Sequence, residues 1–290
     1  MGFDSSFAIG FIGAGRVGTA LAWGLARRGY RVAGVASRSQ SSAQRLAAAI
    51  PQCAVHGGAQ ALADAVELVF LTVPDDAIAA ACARVVWRKG QSVVHCSGAT
   101  ELDALAAAAA GGAQVGGFHP LQMFTDPETA LRGLPGCAIA IEAAPPLGDR
   151  LAAMAQALGC QTLRLPSGTR ALYHAGAGYV AGFVNALARE ASRIWGALGL
   201  TEEEALRALL PLLRGSADSI ERLGPARGMA GPISRGDLGT VERHLAALAP
   251  LGGDTLELYR ALALRTVALA IERGSLGPEQ AARLRALLKG

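Results

Sequence analysis

The chain has 290 residues, of which 51% are hydrophobic and 17% charged, with a formal net charge of +4. That length admits two domains and a sizeable core, and a mild charge without any Lys/Arg cluster argues against nucleic acid as a partner. Five scattered cysteines, odd in number and without a CxxC pair, argue against a disulfide framework or a zinc site and for reduced thiols in a cytoplasmic protein.

The first residues carry Asp4 and no basic run, so no signal peptide is expected, and no uninterrupted apolar run reaches the roughly 18 residues of a membrane span. Residues 7–12 form an apolar run that reads as a buried strand. Gly13-Ala14-Gly15-Arg16-Val17-Gly18 follows, and residues 16–28 then show helical spacing of apolar side chains. Strand, GxGxxG and helix in that order form a dinucleotide-binding fingerprint. Gly13 allows the tight turn, Gly15 lets a pyrophosphate approach the backbone, and Gly18 lets the helix pack on the strand. The helix N-terminus offers free N–H groups to phosphate.

A second strand at 31–36 ends in Ser37, Arg38 and Ser39, where an NAD-specific site carries an acidic residue. The absence of that acid, with a guanidinium and hydroxyls in its place, favours NADP(H) over NAD(H). Ser39 or Ser41 also suits the cap of a helix over 42–50. A short strand near 54–56 and a helix near 59–65 come next. Residues 66–73 read as a central strand ending at Pro74, which places Thr72, Val73 and Pro74 beside the cofactor and leaves Asp75 or Asp76 to cap the next helix. The strand at 92–95 ends in Cys96-Ser97-Gly98, and the strand at 113–118 in His119-Pro120-Leu121-Gln122, with His119 in a loop. Polar turns at the carboxyl ends of strands are where substrates bind in such sheets. Strands at 137–142 and 161–165 flank a helix at 146–158.

From Gly168 onward strand signals stop. Residues 171–198 read as one long helix and 201–223 as another, capped by Thr201 with Glu204. A Gly/Pro stretch at 224–236 precedes helices near 237–249, 254–273 and 278–288. The expected architecture is therefore a Rossmann-type, doubly wound α/β sheet over 1–166, binding NADP, followed by an all-α domain over 167–290 for substrate and dimerisation. The alanine-rich helices are apolar on more than one face, which predicts a homodimer through that domain.

Several segments together resemble the superfamily of 6-phosphogluconate and β-hydroxyacid dehydrogenases, pyrroline-5-carboxylate reductase and prephenate dehydrogenase. Within it, the chain is similar to bacterial Rossmann-like proteins with an uncharacterised C-terminal helical domain. The segments are Gly13 to Gly18, Val73-Pro74-Asp75-Asp76, His95-Cys96-Ser97-Gly98, Gly117-Phe118-His119-Pro120-Leu121-Gln122, Leu172-Tyr173-His174-Ala175, and Gly231-Pro232 through Arg235-Gly236-Asp237 to His244-Leu245. The resemblance implies NADP, a helical dimerisation domain and no particular substrate. It also implies an asparagine eight residues after the helix histidine, where this chain has Gly182. Asn185 lies eleven residues on, about 16 Å along one continuous helix.

The reading that follows is an NADP(H)-dependent oxidoreductase moving a hydride to or from a small carbonyl, imine or hydroxy compound. A non-catalytic NADP(H)-binding sensor is the alternative. The expected catalytic residues are His119, His174 and Ser97, with Tyr173 behind them, and Gln122, Arg235 and Asn185 are expected to hold substrate. The face Gly178, Ala181, Gly182 below His174 is small enough for a close approach. His95 reads as buried and structural, and no metal ligand set is expected.

Overall fold

The computed structural model describes residues 7–290. Asp4, on which the expectation about a leader rests, lies outside the described residues. The chain divides into two compact units, one ending at Ala181 and the other running from Gly182 to Gly290.

The first unit alternates strands and helices. Its elements are β1 (Ile9–Ile12), α1 (Arg16–Arg27), β2 (Val32–Ala36), α2 (Gln40–Ala48), β3 (Ala54–Val55), α3 (Ala59–Ala65), β4 (Leu68–Leu71), α4 (Ile78–Ala83), β5 (Ser92–His95) and α5 (Ala106–Ala110). They continue with β6 (Gln114–Leu121), α6 (Pro127–Gly133), β7 (Ala138–Ala143), α7 (Leu147–Ala157), β8 (Gln161–Arg164) and α8 (Arg170–Val180). The strands form one sheet in the order β3-β2-β1-β4-β5-β6-β7-β8, parallel except where β6 meets β7. This is the Rossmann-like arrangement, with the order reversing beside β1. Successive strand residues point to opposite faces. Phe11 and Phe70 feed the core on one face, stacked 5.1 Å apart, while Ile12, Val69 and Leu71 feed the other. Both faces are covered by helices, which is why the central strands are apolar throughout.

Three expectations are corrected here. β6 continues through His119, Pro120 and Leu121, pairing His119 with Ala140 of the antiparallel β7, so His119 sits on a strand and not in a loop. Pro120 is tolerated because β5 pairs with β6 only as far as Gly117, so that at Pro120 the strand has β7 alone beside it and behaves as an edge. The second correction is at Asp75 and Asp76, where neither side chain caps the turn that opens α4. Third, residues 171–198 are not one helix. α8 ends at Ala181, whose φ of −116° and ψ of −88° leave the helical region, and α9 (Gly182–Gly196) begins there. Gly176, Gly178 and Gly182 cluster at this break, and glycine is the weakest helix former after proline. α5 and α6 are further elements on which the sequence had given no expectation.

The second unit is helical throughout. It contains α9, α10 (Glu202–Gly228), α11 (Leu238–Leu248), α12 (Thr255–Glu272) and α13 (Pro278–Lys289). Thr201 forms the expected capping box with Glu204, and Asp237 caps α11 by accepting from the Thr240 N–H at 3.0 Å. α10 runs on past the expected end at 223, bending at Gly224, whose φ of +76° only glycine adopts freely. The core of this unit gathers Ile233, Val241, Val267, Leu276, Leu284 and Leu288. Leu212, Leu213, Ile220 and Leu223 of α10 remain exposed. Among the described residues no helix is long and apolar enough to cross a membrane.

Candidate functional site

The parallel strands β1, β4, β5 and β6 bring their carboxyl ends to one edge of the sheet, and the site is built along that edge. At β1, Gly13 takes φ +109°, and a Cβ there would come within 2.5 Å of the Thr72 carbonyl oxygen. The Thr72 hydroxyl donates to the Gly13 carbonyl at 2.8 Å, closing the turn against β4. A Cβ on Gly18 would strike that same hydroxyl, so Gly18 is what lets α1 pack here. Gly15 differs from both. A Cβ at Gly15 meets no atom within 4 Å, and Gly15 stands at the N-terminus of α1 with no side-chain cap on the free N–H groups.

The glycine turn borders a cavity of about 840 Å³ lined by Gly13, Ala14, Gly15, Ser37, Arg38, Ser39, Ser42, Thr72, Val73 and Pro74, with Arg84 at the end of α4. That volume is within the range of small-molecule and cofactor sites. Ser39 caps α2, accepting from the Ser42 N–H at 3.3 Å, and is also one of the residues lining the cavity. Arg38 is exposed at the rim. The residue set therefore fits a dinucleotide: bare backbone at Gly15 for the pyrophosphate, and a guanidinium with three serines beyond β2 for a 2′-phosphate. Arg16 donates to the Phe124 carbonyl at 3.1 Å, and neither it nor Val17 lines this cavity.

Pro74 leads directly to Asp75, which joins the cavity to the rest of the edge. The Ser97 hydroxyl donates to the Asp75 carboxylate at 2.7 Å and accepts from the N–H groups of Ala99 and Thr100 at 3.2 and 3.0 Å. Ser97 is buried. Its one hydrogen and its lone pairs are spent inside the turn, so the structure makes it a lock on the strand end and not a free donor to substrate. His95 below it is fully buried, accepts from the Ser97 N–H at its Nδ1 at 3.2 Å, and has its basicity pushed down to about 3 by burial and by the nearby charges of Arg170 and His119.

Gly98 is the pivot of the next cluster. A Cβ there would run into His174 and come within 2.9 Å of the His119 ring, so only glycine allows both imidazoles to close on this turn. His119 Nδ1 lies 2.9 Å from the Tyr173 hydroxyl. The His119 ring stands edge-on to both Tyr173 and His174, at 5.7 and 5.8 Å between centroids. Burial, then the charges of His174 and Arg170, push His119 down to about 4, with Asp75 acting the other way. His119 is therefore neutral at physiological pH. Burial raises the Tyr173 hydroxyl above its ordinary value.

From the sequence, adjacent Tyr173 and His174 point about 100° apart, so only one was expected to face the crevice. Both reach His119, because its ring sits between their directions. What fixes α8 here is Arg170, fully buried one turn before His174. Its Nε donates to Glu142 of β7 at 2.7 Å and its Nη1 to the Ser97 carbonyl at 2.7 Å, while its N–H donates to Glu101 at 3.0 Å. Gly117 leaves space for the guanidinium, which a Cβ would penetrate. Sequence reasoning missed Arg170 and Glu142. An arginine at the start of a helix looks like a solvated residue, and Glu142 at the end of an apolar run was the only hint of a partner.

The remaining expected residues are placed elsewhere. Gln122, expected to hold substrate, donates from Nε2 to the Ala130 carbonyl of α6 at 3.1 Å. Asn185 lies on α9 and Arg235 on an exposed turn before α11, both in the second unit. His174 and Asn185 do not share a continuous helix. Among the described residues no group of three or more His, Cys, Asp or Glu is placed to hold a metal.

A sheet of this order with a glycine loop at its reversal point defines a Rossmann-like fold. Residues 4–120 match the family model of Rossmann-like domains, and residues 137–266 match that of a domain described as one of unknown function, DUF2520. No curated protein matches the chain. Among solved structures, a Bacteroides fragilis protein named for NADP oxidoreductase activity is 25% identical, with 90% of this chain and 98% of that one covered and a TM-score of 0.68. A Thermotoga maritima protein is 24% identical over 91% and 98% of the two chains, with a TM-score of 0.72. A reductive aminase from Aspergillus terreus, solved with NADPH4, cyclohexanone and allyl amine, shares the fold at 17% identity, over 98% and 92% of the chains, with a TM-score of 0.63.

Proposed function

We propose that the protein is an NADP(H)-dependent oxidoreductase that moves a hydride to or from a small carbonyl, imine or hydroxy compound. The observation that carries this reading is the cavity at Gly15 with Arg38 and Ser37, Ser39 and Ser42 at its far wall. Similarity to a protein named for NADP oxidoreductase activity, and to folds solved with NADPH, supports it. The bound nicotinamide would supply or take up the hydride. A proton must then move at the substrate's oxygen or nitrogen, and the Tyr173–His119 pair is suited to that. With the proton of neutral His119 on Nδ1, the ring donates to the Tyr173 oxygen and stabilises the phenolate as its proton leaves. His174 packs against His119 and orients it. Ser97 and Asp75 hold Gly98 in place, and Arg170 and Glu142 hold α8.

The domain roles follow: the sheet unit for cofactor and proton transfer, the helical unit for substrate contacts and for pairing into a homodimer. The exposed leucines of α10 are the surface offered for that pairing, and Asn185 and Arg235 are the helical unit's candidates for substrate contact. Free cysteines at all five positions fit a cytoplasmic protein.

The test is direct. Calorimetric titration should give tighter binding of NADPH than of NADH, and Arg38→Ala should erase the difference by weakening NADPH about tenfold or more, the loss of one charged phosphate contact. Equal affinity of the native protein for both cofactors overturns the NADP assignment. Oxidation of NADPH against a panel of ketones and cyclic imines then separates an enzyme from a protein that senses the cofactor without chemistry.

A further inference from the structure

Cys137 and Cys160 are isolated in sequence but not in the fold. Cys137 immediately precedes β7 and Cys160 immediately precedes β8, and the first paired residues of these parallel strands are Ala138 and Gln161. The two cysteines therefore stand side by side at the strand starts. Their sulfurs are 3.6 Å apart, with the Cys160 thiol also 3.1 Å from the Leu134 carbonyl. The backbone around them is pinned, since the Gln161 N–H donates to the Cys137 carbonyl and the Gly136 N–H to the Gly159 carbonyl, each at 2.8 Å. Adjacent strands place paired side chains within the span that a disulfide bridges. Cys160 is buried and Cys137 is partly exposed.

Register also fixes where this pair lies. β7 runs against β6, with Ala138 opposite Leu121 and Ala140 opposite His119. The start of β7 is thus at the same edge of the sheet as the end of β6, the edge that carries the candidate site.

We propose that Cys137 and Cys160 form a reversible, peroxide-driven disulfide at this edge, with Cys137 the sulfur that meets the oxidant and Cys160 the one that resolves it. The Cys137 thiolate attacks the peroxide. An S–O bond forms, the O–O bond breaks, and the departing hydroxide takes a proton to become water. The Cys160 sulfur then attacks the sulfenic sulfur. The S–S bond forms, the S–O bond breaks, and the Cys160 proton leaves with the hydroxyl as a second water. Two thiols are oxidised by two electrons, and one peroxide is reduced to two waters. The assignment of roles follows exposure, and the shared hydrogen bond agrees. Donation from Cys160 lowers the Cys137 thiol and raises that of Cys160, which favours Cys137 as the thiolate. Burial raises the other three thiols, those of Cys53, Cys82 and Cys96.

The proposal does not depend on the cofactor reading, and its experiment needs neither substrate nor NADPH. The native protein is treated with hydrogen peroxide, its remaining thiols are alkylated, and it is digested with trypsin without reduction. Arg150 separates the two cysteines, so they fall in different peptides. The expected result is a cross-linked pair, residues 133–150 with 151–164, lighter by two hydrogens and released by dithiothreitol, appearing before Cys53, Cys82 or Cys96 is modified. In Cys160→Ser, Cys137 should instead accumulate as a sulfenic acid that dimedone traps. Oxidation of Cys137 to sulfinic acid without cross-linking in the native protein, or oxidation of another cysteine first, overturns the proposal.

Discussion

The cavity at Gly15 and the cluster at His119 lie along one edge of one sheet, yet they are built in opposite ways. The cavity is made of backbone. Its essential feature is absence: no side chain at Gly15, a glycine at φ +109° before it, and uncapped N–H groups at the start of α1. The cluster is made of side chains drawn from four distant stretches, at Asp75, Ser97, His119 and Tyr173, and it is closed by the buried Arg170–Glu142 pair. The first is open to solvent and ready for a polyanion. The second is more enclosed: His95 and Ser97 are buried, His119 is half-buried, His174 alone of the three histidines is exposed, and His95 and His119 are held neutral. A cradle for charge benefits from water-accessible donors, whereas a proton-transfer site benefits from a dry environment that brings donor and acceptor strengths together. Substitutions in the two regions should therefore fail in different ways, and that difference can be measured.

The largest separation is expected in turnover. Once an active substrate is in hand, Tyr173→Phe and His119→Ala should each cut kcat about 10²–10⁴-fold while leaving the NADPH dissociation constant within about twofold. A variant of either residue that keeps native kcat removes the pair from proton transfer. A double variant no worse than the singles would show that the two residues act as one unit.

The second contrast concerns stability. Arg170→Ala leaves Glu142 as an uncompensated buried charge and should cost about 3–5 kcal/mol, read from urea unfolding. Arg170 and Glu142 touch neither the cavity nor, by hydrogen bond, the His119 ring. A variant that lost activity with no loss of stability would give the pair a chemical role in place of the positional one.

Third come the glycines of the loop, where two positions should break different things. Gly13→Ala forces a Cβ against the Thr72 carbonyl at an unfavourable φ, and should destabilise the fold by about 1–3 kcal/mol or more. Gly15→Val meets no protein atom within 4 Å at its Cβ and should leave unfolding unchanged while weakening NADPH about 100-fold. Native affinity in Gly15→Val would mean that the cavity is not the cofactor site.

The two regions also differ in how far they were legible in the sequence. The cavity was legible because strand, GxGxxG and helix are contiguous, and because serine and arginine at positions 37 and 38 stand a fixed distance along the same βαβ unit. Contiguity makes local chemistry diagnostic. The cluster was only half legible. His119 and His174 could be singled out by position, but the contact of Tyr173 with His119 depends on where α8 lies over β6, which no local pattern encodes. The partners of Gln122 and Ser97 were hidden for the same reason. Each has a polar partner, Ala130 and Asp75, from an element whose approach the sequence did not announce. The long helix expected over 171–198 failed on propensity. Its alanines outweighed three glycines in the pattern, although the backbone breaks where the glycines gather.

The last contrast tests how far burial holds the imidazoles of His95 and His119 neutral. His95 and His119 are held neutral in the folded protein, near 3 and about 4, against 6.5 when unfolded. Between those values the unfolded chain binds more protons than the native one, so stability is complete above pH 6.5 and is lost as pH falls toward 4. Each group contributes a slope of up to about 1.4 kcal/mol per pH unit within that window. Carboxylates that cap helices can be separated from this effect. Asp126, Glu204 and Asp237 start from 3.8, 4.5 and 3.8 and are lowered on folding, so their contribution disappears only as pH drops through about 4 and below. Urea midpoints measured between pH 4.5 and 7.5 should therefore fall with acid in the native protein, and the fall should be shallower in His119→Asn. The Tyr173 hydroxyl bonds the His119 ring, and the charges acting on it are those of His174, Arg170 and Asp75, of which Asp75 alone favours protonation. Asp75→Asn should accordingly leave the acid slope intact or steepen it. A native protein with flat stability across this window would mean that burial does not hold His95 and His119 neutral, and that the cluster is no more enclosed than the cavity.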